Sequence, residues 1–105
     1  MKSKFTQAEL SEIQGTRLMG RINSNYEELV TAFGLPHHVQ YNRTGDKSTC
    51  EWVLRFEDGT IATIYDYKTN TTPTDQYDWH VGGHSLKALD HVTNILFGIR
   101  VHEMA

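Results

Sequence analysis

Sulfur chemistry is nearly absent from this chain, whose 105 residues include one cysteine, Cys50. A single cysteine excludes an intrachain disulfide and a cysteine zinc site. It reads instead as a small, partly buried apolar residue at the start of a strand. A reactive thiol needs thiolate-stabilising neighbours, and the residues around Cys50 supply none. A large excess of charge is also lacking. The formal net charge is −3 and the pI is near 6.0, which argues against wrapping nucleic acid with a basic stripe. Only a local cluster of Arg17, Arg21, Arg43 and Arg55 would go the other way. No apolar run approaches membrane-spanning length, and the opening MKSKFTQAEL lacks the apolar core of a signal peptide. The expectation is a soluble protein of the cytoplasm, with no membrane partner. The Asn-x-Thr triplets at Asn42 and Asn70 then carry no glycosylation meaning.

What is present suits one folded α+β domain over residues 1–105. Apolar residues make up 38% and charged residues 22%, enough for one core without staples. Three helices are marked by their ends. Thr6 with Glu9 and Gly15 frames the first, and Ser24 with Glu27 and Gly34 frames the second. Ser85 opens the third, where Leu86, Leu89, Val92 and Leu96 share one side and Gly98 marks the end. The last residues read as a loose tail or a short added strand. Between the helices, residues 17–23 alternate Leu18, Gly20 and Ile22 against Arg17, Met19 and Arg21. In CEWVLRF, Trp52, Leu54 and Phe56 oppose Glu51, Val53 and Arg55. The Asp58–Gly59 turn then joins this strand to TIATIYDYK as a hairpin. A polar connection over residues 69–76 leads to a fourth strand, YDWHV, and residues 37–48 read as a long polar loop. The predicted order is α-β-α-β-β-β-α. It packs as a two-layer sandwich, a four-stranded largely antiparallel sheet with helices mainly on one face.

The opposite sheet face is where binding residues are expected. If Trp52, Leu54 and Phe56 point to the core, the other face carries Met19, Arg21, Val53, Arg55, Ile61, Tyr65, Tyr67 and His80. That set is too apolar for ordinary exposure. It reads as an interface, or as a surface covered by the first helix, the tail or a homodimer partner. Arg21, Arg55, Tyr65, Tyr67 and His80 are the expected contacts, with the loop from Asn70 to Gln76 at the rim. Gly82-Gly83-His84-Ser85 ahead of a helix offers a weaker anion site. His80 and His84 stand four apart, and Asp66 or Asp90 could complete a metal set. Two glycines intervene, however, and the helical HExxH arrangement is absent. Neither a cofactor nor a catalytic residue is expected.

The series FGLP, EWVLRFEDGTIATIYDYK and WHVGGHS, followed by a terminal amphipathic helix, resembles a group of small uncharacterised proteins of tailed bacteriophages and other large DNA viruses. The likeness spans roughly residues 17–97. It implies a viral context and supplies no catalytic residues. By analogy with counter-defence proteins, the leading expectation is a non-enzymatic inhibitor that occupies the surface of a host defence factor. An anti-CRISPR-like protein acting on a host protein or ribonucleoprotein is its concrete form. One alternative is a sequesterer of nucleotide signals, with a phosphate at the Gly82-Gly83 turn and a base on the tyrosines. Another is a small metal-dependent enzyme using His80 and His84. A plain structural subunit is a further class.

Overall fold

Two tryptophans fix the centre of the molecule. Trp52 and Trp79 are fully buried and meet edge-to-face at 5.6 Å. Their indole N–H groups donate to the carbonyls of Gly34 and Ser24, so neither polar tip is left unpaired. Around this pair the computed structural model describes residues 5–39, 48–69 and 71–104.

The chain runs β1 (Phe5–Gln7), α1 (Leu10–Ile13), β2 (Arg17–Ser24), α2 (Tyr26–Phe33), β3 (His38–Val39), β4 (Cys50–Phe56), β5 (Ile61–Tyr65), β6 (Tyr77–Gly83) and α3 (Lys87–Met104). All strand pairs are antiparallel, in the order β1-β4-β5-β6-β2, with β3 also on β4. The α+β class and the hairpin are as expected. Among the described residues the sheet has six strands where four were expected, because two short segments add to the outer edge of β4. Phe5, just ahead of the cap expected for the first helix, packs its ring near those of Phe33 and Phe56, at 5.6 and 6.0 Å. That extends residues 5–7 and shortens α1 to one turn, capped by Glu12 accepting from the Glu9 amide. The second addition, β3, lies where only loop was expected.

Between β1 and β3 the edge of β4 has no strand partner. Ala8 donates to the Val53 carbonyl and His37 to the Glu51 carbonyl, while the Val53 amide donates to Nδ1 of His37. An imidazole thus stands in for a strand carbonyl. Burial lowers the His37 pKa, with His38 adding to the effect, which keeps Nδ1 an acceptor.

Helices α2 and α3 cover one face and bury Leu29, Phe33, Ala88, Val92 and Leu96 against Leu54, Ile64 and Val81. Asn25, rather than Ser24, caps α2 by accepting from the Glu28 amide. Ser24 ends β2 and donates to the Glu28 carboxylate. Ser85 accepts from the Lys87 amide, and α3 starts at Lys87, one residue later than a Ser85 cap predicts. Gly98 does not end it. Arg100 holds the last turns by donating to Glu28 and to the Asn23 carbonyl, and those bonds outweigh the roughly 1 kcal/mol cost of a helical glycine. Near its start, α3 sits close because Gly83 has no side chain; a Cβ there would lie 2.4 Å from that of Ala88. His91 of α3 stacks on Phe56 at 4.4 Å and pairs with Asp58 of the hairpin turn.

Among the described residues no helix is long and apolar enough to cross a membrane. Arg43, Asn42 and Asn70, singled out in the sequence, lie outside the described residues.

Candidate functional site

The sheet face opposite α2 and α3 is divided in two. One half is covered by α1. There Val53 and Ile61, expected on the open face, are buried with Ala8 against Ile13. Arg55 is turned to internal duty, donating to the Glu12 carboxylate at 2.5 Å and to Thr6. His84 sits at the same seam, its Nε2 2.8 Å from the Glu12 carbonyl. Covering by the first helix, one of the expected alternatives, therefore holds for this half.

Among the described residues no helix covers the other half. Strand register sets one residue from each of five strands side by side: His38, Glu51, Tyr65, His80 and Arg21. The sequence placed Arg21, Tyr65 and His80 on this face, and the register brings them together. Tyr67 follows the end of β5, and its ring lies 5.3 Å from that of His80, with the Tyr65 ring at 5.4 Å. Lys68, at φ 57°, places its ammonium 5.3 Å from the centre of the Tyr67 ring. Residues 38 and 51 were not singled out as contacts. Glu51 was readable from strand alternation, whereas His38 belonged to an expected loop and gave no signal.

A β-bulge between Leu18 and Gly20 alters the first expected strand pattern. Leu18 pairs with Gly82 on the open face and is 43% exposed, not buried beside Ile22. Gly20 lies under α3, where a Cβ would come within 2.7 Å of Leu89. The extra residue of a bulge reverses the alternation for everything before it.

Electrostatics separate the two halves. Burial raises the pKa of Glu51 and, with Glu51 and Tyr67 adding, that of Tyr65. Burial also lowers His80, helped by the neighbouring Arg21 charge. Nε2 of His38 and Nδ1 of His80 are buried without a hydrogen bond, and both belong to this row. On the covered half, by contrast, hydrogen bonds from the Glu9 backbone and Arg55 hold Glu12 below the usual carboxylate range.

Comparison with family models, curated proteins and solved structures finds no match.

Gly82 and Gly83 both lie inside β6, paired with β2 on one side and β5 on the other. A Cβ on Gly82 would fall 2.6 Å from the Thr63 hydroxyl and 3.6 Å from the Tyr65 ring. Close packing accounts for both glycines, and their amides lie within the sheet ladder. Ser85 is exposed in the turn before α3. Asp66, considered as a metal ligand, is buried and accepts hydrogen bonds from Thr49, Cys50 and Thr69, tying the start of β4 to the end of β5. Among the described residues no three histidine, cysteine or acidic side chains gather closely enough to hold a metal. Beside Asp66, burial and that carboxylate push the Cys50 thiol up to about 12, which leaves it protonated and unreactive at neutral pH.

The expected rim loop ends at Gln76, whose amide bridges Asn23 and Asn25. An open hollow of about 520 Å³ lies nearby, lined by Asn25, Tyr26, Glu27, Thr74, Asp75 and Gln76. Its described walls carry two carboxylates and no cation, a poor setting for an anionic ligand.

Proposed function

We propose that this chain is a non-enzymatic binding protein that lays the uncovered half of its sheet against another macromolecule. The observation that carries this reading is the row from His38 to Arg21. It holds buried imidazole nitrogens without partners, where folded proteins normally pair such groups. Both atoms are shielded from solvent, so a partner reaches them only by turning the imidazole rings outward. Tyr65 and Tyr67 contribute area and Arg21 directional donors, residue types that concentrate at recognition sites.

In its most concrete form the partner is a host defence protein or ribonucleoprotein, and binding disables it by occupying a working surface. That step is an analogy drawn from the viral resemblance expected of the EWVLRFEDGTIATIYDYK and WHVGG signature. The test is interference itself. Cells with an active CRISPR system, challenged by a targeted phage, should regain plaques when the wild-type chain is expressed. An Arg21→Ala/His80→Ala double variant, shown by thermal melting to be folded, should not restore them. The reading fails if wild type rescues nothing and immobilised protein retains no host component. A melting shift with a nucleotide would instead favour sequestration of a nucleotide signal.

A further inference from the structure

The uncovered row is polar in a directional sense. Arg21 stands at one end and Glu51 toward the other, with Tyr65 and His80 between them in register. Among the described residues neither Arg21 nor Glu51 has an ion pair or a side-chain hydrogen bond. The contrast with Arg55 and Glu12, which satisfy each other on the same sheet face, is direct. A cation and a carboxylate on one surface are thus held too far apart to neutralise each other. Three strand spacings of roughly 4.8 Å separate them, about 14 Å in all.

We infer that this row selects an extended protein segment bearing opposite charges four residues apart, with an aromatic or small residue between them. An extended chain rises about 3.3 Å per residue, so positions i and i+4 lie about 13 Å apart. That matches the spacing of the two charges. The segment's carboxylate meets the Arg21 guanidinium, where a two-pronged bond is available. Its cation meets Glu51, and a ring between them lies against Tyr65 and His80. A nucleic acid strand fits worse, because its phosphates that satisfy Arg21 are repelled at Glu51. The inference rests on the binding-face reading above and adds the chemistry of the partner.

Blocked pentapeptides titrated into ¹⁵N-labelled protein test it, with amide shifts followed by NMR at low ionic strength. Acetyl-Asp-Ser-Tyr-Ser-Lys-amide should shift Arg21, Glu51, Tyr65 and His80 saturably. The Asp/Asp peptide and the neutral Asn/Gln peptide should bind about tenfold more weakly, a difference of about 1.4 kcal/mol. Glu51→Lys should reverse the preference and favour the Asp/Asp peptide. Glu51→Gln, a milder change, should abolish discrimination between Lys and Gln at the second charged position. Equal binding of all three peptides, no shifts at millimolar peptide, or an unchanged preference in Glu51→Lys overturns the inference. So does a thymidine hexanucleotide that perturbs the same four residues. If plaque rescue depends on Arg21 and His80 while the peptides are not discriminated, the binding face stands and the mixed-charge selectivity falls.

Discussion

Two halves of one sheet face carry nearly the same residue types and treat them in opposite ways. Under α1, Arg55 meets Glu12, His84 lies against a backbone carbonyl, and Val53 and Ile61 are packed away. Beyond the reach of α1, Arg21 and Glu51 have no ion pair among the described residues, and one buried nitrogen of His80 has no partner. A single turn of helix makes the difference. Composition says little about whether a sheet face is structural or free to bind; the placement of the covering element decides it.

The comparison is broken most directly by core deletion. Ile61→Ala on the covered half removes contacts with the underside of α1 and should cost about 3 kcal/mol in urea unfolding. Arg21→Ala on the open half should stay within about 0.5 kcal/mol. Similar costs at the two positions would show that the halves are not distinct.

Next in size is Gly82→Ala, whose methyl collides with Thr63 beneath the tyrosine row. Overpacking there should cost about 2 kcal/mol and displace the Tyr65 resonances in an NMR spectrum. An undisturbed Tyr65 would mean that Gly82 does not shape the row.

The smallest effects have opposite signs. The folded pKa of Glu12 is lowered, so its contribution to stability is present above its unfolded pKa and lost as pH falls through the folded value. The folded pKa of Glu51 is raised, so its contribution is present below the unfolded pKa and lost as pH rises through the folded value. At pH 7, Glu12→Gln should therefore lower the melting temperature, and Glu51→Gln should raise it by something on the order of 2 °C. Both differences should vanish in strong acid, where each carboxyl is neutral in wild type as well. Melting curves from pH 3 to pH 8 check this pair, and a shared sign would undo the contrast.

Much of the sheet was legible. Period-two alternation and the Asp58–Gly59 turn give β4 and β5, and the same alternation puts Tyr65 and His80 on one face. The remainder depends on events the pattern does not encode. Strand β1 exists because Phe5 finds Phe33 and Phe56, and β3 exists because β4 has an unfilled edge. Both are too short to show a period. The bulge before Gly20 turned Leu18 outward, and no turn residue announces it. Gly98 looked like a stop because the hold of Arg100 on Glu28 is a contact across 72 positions of sequence. Arg55 and Arg21 are equivalent in strand pattern. Only the docking of α1 tells them apart.

The imidazole plug on β4 carries a consequence for handling the protein. When His37 takes up a second proton, Nδ1 changes from acceptor to donor and can no longer receive the Val53 amide. The lowered pKa of His37 delays that change to more acidic solution than an ordinary histidine requires. Once it occurs, a backbone donor between two very short strands faces solvent, a vacant slot for strand addition from another molecule. Storage at a pH well below the ordinary histidine range should therefore promote aggregation, seen as rising light scattering, and restoring neutral pH early should reverse it.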